Sequence, residues 1–208
     1  MRKAFQTLTL LALFLLPGAI LAQEESSGLK SEFGFWLGAS NPVPASQTDQ
    51  ILDTTIGAGL FYRLQWPWFF QTELGGSYSN YTSRSSQSLV VAPLYAALVY
   101  RLPLPYQLQT FLKVGGGSAW LEVYPVKRWG WDPLFFAGLE FSILVGRKVR
   151  IGARFDYNLI YEKHLKPPPE VELLRYLGAQ DPRFKIADDF RIRNGAFYHF
   201  GLMLSFKL

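Results

Sequence analysis

Apolar and polar side chains alternate along the last part of the chain, from Tyr198 to Leu208. Every second residue of this run is aromatic or aliphatic, and the residues between them are mostly small or polar. Successive side chains of a β-strand point to opposite faces, so the run predicts a strand with one apolar face and one small or polar face. The apolar residues of this predicted last strand are Tyr198, Phe200, Leu202, Leu204, Phe206 and Leu208.

The same alternation recurs in seven earlier segments, which predicts eight strands in all. In each segment one face is rich in Phe, Leu, Ile, Tyr and Ala, and the other combines Gly, Ser and charged residues. The first half of the fourth segment is apolar on both faces, so its pattern is weaker. The predicted strands cover Ser31 to Ala39, Thr54 to Gln65, Phe69 to Ser79, Leu89 to Leu102, Thr110 to Glu122, Leu134 to Leu144, Lys148 to Tyr161 and Tyr198 to Leu208.

The connections between these predicted strands alternate between long and short. Bacterial outer-membrane barrels have short periplasmic turns and long extracellular loops. The pattern therefore predicts an all-β protein, an eight-stranded antiparallel up-and-down barrel that crosses a membrane, with both termini in the periplasm. The short connections are 66–68, 103–107 and 145–147, and the long ones are 41–53, 80–88, 123–133 and 162–193.

A soluble β-sandwich or lipocalin-like barrel is the alternative, because its strands would also alternate. Such a protein places its charges outside and its apolar residues inside. Here the charged residues share a face with glycine and serine, and a narrow barrel has little room inside, so this face is predicted to point inward. The apolar face then needs lipid as its surroundings, and a closed barrel leaves no unpaired strand edge in that lipid.

The first residues of the chain predict a secretory signal peptide. Two basic residues precede an apolar stretch from Thr7 to Leu16, and Ala22 offers a small residue at a cleavage point. The stretch is short for an uncleaved membrane-spanning helix. We therefore expect residues 1–22 to be removed and residues 23–208 to form one barrel domain in the bacterial outer membrane. The absence of cysteine excludes disulfides and cysteine nucleophiles.

Composition narrows the classes of partner. The formal net charge is +5, but the basic residues are scattered among carboxylates, which argues against nucleic acid. Aromatic residues make up 16% of the chain and concentrate near both ends of the predicted strands, as expected for two membrane-interface belts. The predicted interface aromatics are Trp66, Trp68, Trp120, Trp129, Trp131 and Tyr157.

Charged residues lie on the predicted inward face of most strands. An eight-stranded barrel is just wide enough to be filled by its side chains, and an unpaired charge there would be costly. We therefore expect opposite charges to pair, either as a network that plugs the lumen or as the lining of a narrow polar conduit. The predicted network comprises Glu32, Arg63, Glu73, Arg101, Lys113, Glu140, Arg150, Arg154 and Asp156.

The two histidines bear on whether the chain is an enzyme. His199 lies on the inward face at the top of the last strand, where a lipid-modifying barrel would place a Ser–His–acid arrangement. Some outer-membrane lipid A deacylases carry a His-x-Ser pair, but Gly201 occupies the second position after His199. His164 lies beside lysines in the longest loop. We therefore predict no catalytic residue, no metal site and no cofactor.

Two connections carry features that suit binding. In residues 162–193, Pro167 to Pro169 predicts an extended segment, and Glu170 to Leu177 predicts a short helix. This loop either folds over the barrel mouth or forms a surface-exposed binding element. The run from Lys127 to Trp131 mixes basic and aromatic residues, which suits anionic lipid headgroups, an aromatic-rich ligand or a position at the membrane interface.

The chain resembles the small eight-stranded outer-membrane barrels of the OmpX, OmpA-barrel and OmpW type. Beyond the signal and the eight segments, the resemblance rests on Val91-Ala92-Pro93-Leu94 running to Tyr100-Arg101 and on Phe111 running to Gly115-Gly116-Gly117. It implies a monomer surrounded by outer-membrane lipid and placed there by the insertion machinery. Leu208 stands where these barrels usually end in Phe or Trp. The residues that would carry the insertion signal are Phe200, Leu202, Leu204, Phe206 and Leu208.

Three functions fit this predicted architecture. The first is a non-enzymatic surface barrel that stabilises the envelope and presents its loops to an extracellular ligand or partner. The second is a narrow channel for small molecules, including the hydrophobic ones that the resemblance to OmpW implies. The third, which the histidine pattern favours least, is an enzyme that modifies envelope lipids.

Overall fold

Eight antiparallel strands form one closed barrel in the order of the sequence, as a computed structural model shows. Strand β1 pairs with β2 on one side and with β8 on the other, so the sheet has no free edge. The predicted fold class is confirmed. The strands are β1 Lys30–Pro42, β2 Thr55–Gln65, β3 Phe70–Thr82, β4 Ser88–Leu102, β5 Gln109–Tyr124, β6 Arg128–Val145, β7 Val149–Ile160 and β8 Gly195–Lys207. The structure describes residues 30–44, 48–49, 52–66, 70–82, 88–104, 107–124, 127–161 and 195–208.

The predicted inward and outward faces of the strands are confirmed. On β2, Arg63 is fully buried inside the barrel, whereas Leu60 on the outer face is 56% exposed. On β8, Met203 is buried and its neighbour Leu202 is 73% exposed. Period-two alternation around a closed wall produces this division, because every second side chain must enter the lumen. The exposed outer residues form an apolar belt that includes Phe35, Leu37, Ile56, Leu74, Leu94, Leu98, Val114, Phe135, Ile151, Phe155 and Phe200.

Short connections join β2 to β3, β4 to β5 and β6 to β7 at one end of the barrel, which we call the turn end. In the last of these turns Gly146 adopts a φ of 68°. A residue with a β-carbon would lose about 1–2 kcal/mol in that left-handed conformation, so glycine suits the turn. The opposite end, where β1 is joined to β2 and β7 to β8, is called the loop end.

The connection between β5 and β6 differs from its prediction. The sequence predicts a long loop over residues 123–133, but β5 continues to Tyr124 and β6 begins at Arg128. Trp120 pairs with Trp131 across this hairpin, so β6 begins before Pro133. The proline interrupts the alternating pattern in the sequence and obscures this part of the strand. Strands β5 and β6 have 16 and 18 residues, more than the 9–11 that a tilted membrane strand needs. The hairpin therefore extends past the apolar belt, and the strict alternation of long and short connections is wrong at this point.

The other strand limits differ less from the predictions. Strands β1, β3 and β8 each extend three residues further at the loop end, and the remaining limits agree within two residues. No helix in the described part of the chain is long and apolar enough to span a membrane. The predicted signal peptide (1–22), the predicted helix from Glu170 to Leu177, His164 and Trp68 lie outside the described residues.

Candidate functional site

The lumen holds two groups of side chains that are separated along the barrel axis. The group nearer the turn end is charged, and the group nearer the loop end is apolar. We call the first the charged cluster; it consists of Glu32, Arg63, Glu73, Lys113, Glu140, Arg150, Arg154 and Asp156. We call the second the apolar cluster; it consists of Leu52, Tyr81, Leu89, Val91, Tyr95, Ala97, Ala119, Leu121, Val123, Leu134, Phe136, Ile160 and Phe197.

Arg63 on β2 lies at the centre of the charged cluster. Its Nη2 atom is 2.6 Å from Glu73 Oε2 and 2.6 Å from Glu140 Oε2. Its Nε and Nη1 atoms donate further hydrogen bonds to Glu73 and Glu140, at 3.1 Å and 3.3 Å. Glu73 is the cross-strand neighbour of Arg63 on β3, whereas Glu140 reaches it across the lumen from β6. The planar guanidinium thus donates four hydrogen bonds to two carboxylates from three nitrogen atoms, a fixed fork of donors that a single ammonium group does not offer.

The same two carboxylates also bind the other cations of the cluster. Lys113 Nζ lies 2.7 Å from Glu140 Oε2 and 3.5 Å from Glu73 Oε2. Arg154 Nη2 lies 2.9 Å from Glu73 Oε1, and Arg154 Nε donates to Asp156 Oδ2 at 2.5 Å. These contacts connect four strands into one network, in which Glu73 and Glu140 are each shared among several cations.

Glu32 carries the network across the junction of β1 and β8 that closes the barrel. Arg150 Nη1 on β7 donates to Glu32 Oε2 at 2.6 Å, and Ser205 Oγ on β8 donates to Glu32 Oε1 at 2.5 Å. Arg63 Nη1 is 3.8 Å from the same carboxylate. Both oxygens of Glu32 are therefore occupied by groups from strands that meet only when the barrel is closed.

Aromatic rings fill the space between the cations. Arg63 and Arg150 each lie 4.9 Å from the centroid of the Phe111 ring, and Arg154 lies 4.9 Å from that of Phe61. A guanidinium over an aromatic face is attracted by the negative face of the ring. The rings thus fill the lumen and stabilise the charges beside them.

The charged cluster is electrically balanced. It contains four carboxylates and four cations, and all eight are buried. Burying an unpaired charge is costly, and the pairing and hydrogen bonds on these groups offset that cost. Within the cluster, positive and negative charges are therefore equal in number, and each side chain is ion-paired with at least one of opposite sign.

Tyr95 joins the two clusters. Its ring stacks on Phe136 in the apolar cluster, with centroids 3.9 Å apart and planes inclined by 5°. Its hydroxyl donates to Glu73 Oε1 at 2.9 Å and accepts from Arg154 Nη2 at 2.5 Å. Gly75 makes this position available, because a β-carbon on Gly75 would collide with the Tyr95 hydroxyl.

The apolar cluster fills the lumen at the loop end with large side chains. Tyr81 and Phe197 approach each other from β3 and β8, with ring centroids 4.8 Å apart. Leu89, Leu121 and Leu134 are each no more than 5% exposed. All the side chains of this cluster are apolar or aromatic and none is charged, in contrast with the half of the lumen nearer the turn end.

The described residues of the connection between β1 and β2, which are 43–44, 48–49 and 52–54, lie at the mouth of the loop end; we call them the cap. Leu52 inserts its side chain into the apolar cluster and is 3% exposed. The backbone of Val43 donates to Ala196 O on β8, and that of Asp53 donates to Thr82 O on β3, both at 2.9 Å. Since β3 and β8 lie on different sides of β1 and β2, these bonds hold the cap across the opening.

The structure brings a serine, a histidine and an aspartate side by side without assembling a catalytic triad. Ser40 pairs with His199, and His199 pairs with Asp156, on three adjacent strands. Ser40 Oγ, however, is hydrogen-bonded to Tyr81 Oη at 2.5 Å. The His199 ring packs against the Trp36 ring, with their centroids 5.0 Å apart, and Asp156 forms an ion pair with Arg154. All three are buried in the lumen, so a lipid outside the barrel does not reach them.

Arg101 does not join the charged cluster, contrary to the prediction. It follows the inward alternation of β4 but is exposed at the turn end, and it forms no ion pair within the described part of the chain. The sequence indicates the face of the strand on which a residue lies, but not its depth in the barrel. Among the residues that the structure describes, no group of three or more His, Cys, Asp and Glu side chains is arranged to hold a metal ion.

The interface aromatics divide between the two ends. Trp66 lies at the turn end, where its Nε1 donates to Thr72 Oγ1 at 3.0 Å. Trp120, Trp131 and Tyr157 lie near the loop end. Trp129 lies two residues beyond Trp131 on β6 and is 63% exposed. Of the last strand, Phe200, Leu202, Leu204, Phe206 and Leu208 follow the outer face.

Sequence reasoning missed the residues that close the loop end. Leu52 stands in a connection without periodicity, so no strand pattern identified it. The apolar lumen did leave a signal, because Leu89 to Ala92 is apolar on both faces. That pattern indicates a strand with lipid on one side and an apolar interior on the other.

Solved structures share this architecture. Neisserial surface protein A superimposes with a TM-score of 0.57 at 9% sequence identity, covering 89% of this chain and all of that protein. The fold is that of a small outer-membrane β-barrel. Ail, the attachment invasion locus protein of Yersinia pestis, matches this barrel with a TM-score of 0.50 at 9% identity, over 86% of this chain and 99% of Ail. No protein-family model and no curated protein matches the sequence of the barrel.

Proposed function

We propose that this protein is an integral barrel of the bacterial outer membrane without enzymatic activity, which holds a closed lumen and presents its loop end to partners outside the cell. The observation that carries the proposal is the double closure of the lumen. The neutral charged cluster fills the turn end, and the apolar cluster with Leu52 fills the loop end. A protein filled in this way acts through its surface.

The outer surface supports the membrane location. The apolar belt has no counterpart in a soluble barrel, and a lipid bilayer is the environment in which an exposed residue such as Leu202 is stable. Aromatic side chains border the belt on both sides, as in spanning barrels. With short turns in the periplasm, the cap and the β5–β6 hairpin face the outside of the cell.

Charge placed on the belt tests the membrane location. Leu202→Arg should destabilise the folded barrel in lipid vesicles by about 2–4 kcal/mol, because it buries a charge near the bilayer midplane. The matched variant Leu208→Arg, at the end of the same face, should cost about 1 kcal/mol or less. Folding is followed by the heat-modifiable shift on a gel and by urea titration. A soluble monomer that needs no detergent, or equal costs at the two sites, would refute the membrane location.

Conductance tests the closed lumen. The wild-type protein in a planar bilayer should show little or no steady current. Glu140→Gln unbalances the charged cluster and should produce openings, whereas Leu94→Ala on the outer face should leave the bilayer silent. A large, steady wild-type current that is insensitive to Glu140 would reject the plug and indicate a pore elsewhere.

The apolar cluster favours one alternative function, the passage or binding of small hydrophobic molecules. If the cap moved and withdrew the Leu52 side chain from the apolar cluster, the space left would suit such a molecule. In that case Leu52→Ala should increase the uptake of a small apolar fluorescent probe into protein reconstituted in vesicles. Leu94→Ala is the control, because it truncates a leucine on the outer face of the barrel and leaves the lumen unchanged. Equal uptake by the wild type and Leu52→Ala would remove this alternative.

A further inference from the structure

Three cations, none of them in an ion pair with a carboxylate side chain among the described residues, lie at the mouth of the lumen at the turn end. Lys30 precedes Glu32 by two residues on β1, Arg101 continues the inward alternation of β4, and Lys207 lies opposite Glu32 on β8. All three therefore face the opening. None of them forms an ion pair with a carboxylate side chain in the described ranges, whereas Arg150 below them is paired with Glu32.

These cations are close enough to affect each other. Lys207 lies within electrostatic reach of three like charges, Arg150, Arg101 and Lys30, as well as of the opposite charge of Glu32. Arg147 and Lys148 add two exposed cations in the adjacent turn between β6 and β7. The excess of positive charge is confined to this mouth of the barrel, because the charged cluster just below it in the lumen is neutral.

Three further inward positions at this level carry amide side chains, which offer hydrogen bonds without charge. Gln65, Gln71 and Gln109 are the last inward residues of β2, β3 and β5 at the turn end. At the loop end, by contrast, the exposed residues of the described chain include the carboxylate of Asp53 as well as the amine of Lys127. The two mouths of the barrel therefore differ in the charges that they expose: the turn end exposes cations, and the loop end exposes both signs.

Like charges in a recess with walls of low dielectric focus their field and raise the local concentration of a counter-ion. Arg101 adds a planar fork of donors that matches the geometry of a carboxylate or a phosphate, and Lys30 and Lys207 add point charges beside it. A group carrying two or more negative oxygens would relieve the repulsion among these cations and receive charge-assisted hydrogen bonds.

We propose that the turn-end mouth, formed by Lys30, Arg101 and Lys207, binds an oxyanionic group, a phosphate or carboxylate, that arrives from the water at this end of the barrel. The inward direction of the three side chains separates this site from a lipid headgroup, which would approach from the side. In the orientation given by the proposed function, that water is the periplasm. The site itself requires only the folded barrel.

Calorimetric titration tests the site. The wild-type barrel in nanodiscs of zwitterionic phosphatidylcholine is titrated with inorganic pyrophosphate at low salt, and binding should weaken as salt is added. The double variant Arg101→Gln with Lys207→Gln should bind at least about tenfold more weakly, the factor expected for losing a charge-assisted contact. Arg101→Lys should retain part of the affinity, and Lys127→Gln at the loop end should bind as the wild type does. Heat-modifiable migration confirms that every variant is folded.

A lipid arm distinguishes the two sources of a phosphate group. The same proteins are placed in nanodiscs that contain a labelled anionic phospholipid, and energy transfer from the barrel reports its enrichment. Enrichment that depends on Arg101 and Lys207, without pyrophosphate binding in zwitterionic discs, would overturn the proposal in favour of a headgroup site. Equal pyrophosphate binding by the wild type and the double variant, or no binding by either, would overturn it as well. A loss of membrane insertion would be detected separately by the Leu202→Arg comparison.

Discussion

The turn-end half of the lumen is filled by charges that neutralise each other, whereas the loop-end half is filled by apolar side chains and the cap. Each carboxylate in the first half contacts at least one cation through defined hydrogen bonds. The stability of the second half depends on how well its volume is filled, since side chains such as Leu89 and Phe197 contribute contact area and no hydrogen bonds. The same barrel radius thus contains two different kinds of interior.

The comparison teaches how each half responds to change. In the charged half a single substitution leaves a partner unpaired in a narrow space, so the cost depends on the balance of charge. In the apolar half the cost grows with the cavity that a substitution creates. The charged half should therefore tolerate balanced changes better than single ones, and the apolar half should respond to size alone.

Removal of the central cation should have the largest effect. Arg63→Met leaves Glu73 and Glu140 without their shared guanidinium and should lower the free energy of unfolding by about 3–5 kcal/mol. Urea titration of the protein in vesicles measures the change. Arg101→Met provides the control, because this arginine is exposed and unpaired within the described residues, and it should cost about 0.5 kcal/mol or less.

A balanced double variant sharpens the same test. Arg63→Met combined with Glu140→Gln restores equal numbers of positive and negative charges in the cluster. The double variant should be more stable than the sum of the two single losses predicts, because each single change leaves a charge that the other removes. Strictly additive losses would show that charge balance does not control this half of the lumen.

Truncation in the apolar half should have a somewhat smaller effect. Leu89→Ala, which opens a cavity beneath the cap, should cost about 3 kcal/mol. Leu94→Ala on the outer face of the same strand is 55% exposed in the wild type and should cost clearly less. Differential unfolding of the two variants in the same vesicles gives the comparison. If the two losses are equal, the loop-end lumen is not a packed core.

The residue that belongs to both halves should show the smallest effect. Tyr95→Phe keeps the ring on Phe136 but removes the hydroxyl that binds Glu73 and Arg154. The expected cost is about 1–3 kcal/mol, toward the lower end because Arg154 still reaches Glu73 directly at 2.9 Å. Tyr95→Ala should add the loss of the ring. A neutral Tyr95→Phe variant would show that the two halves are energetically independent.

The alternation of the sequence predicts the strands because a period of two divides each of them into two faces. The charged and glycine-rich composition of one face then identifies it as the inward face. Glu32, Glu140 and Asp156 were accordingly placed inside. Depth was not available from the same pattern: Arg101 shares the inward face with Val99 but lies at the rim. Depth follows from the stagger between strands, which no single segment contains.

The missed elements depended on contacts distant in the sequence. Leu52 reaches the lumen only because the cap is bonded to Ala196 and Thr82, residues far from it along the chain. The sequence predicts a loop over residues 123–133, although Trp129 and Trp131 keep an alternating pattern. Pro133 fits within β6 because its carbonyl accepts a hydrogen bond from the backbone of Tyr161, just past the end of β7. The N–H that proline lacks would therefore face the end of β7, and the pairing with β5 loses no hydrogen bond.

The position of Glu32 has a consequence for the order of assembly. Glu32 lies on the first strand, and Arg150 and Ser205 lie on the last two, so their bonds do not exist in a sheet whose first and last strands are apart. Until those edges meet, Arg150 lacks its Glu32 partner, and Glu32 has only the more distant Arg63 of the neighbouring strand β2, at 3.8 Å. Closure of the sheet and burial of these two charges in the lumen are therefore one event. When the first and last strands pair, Glu32 gains the hydrogen bonds that offset the cost of its burial.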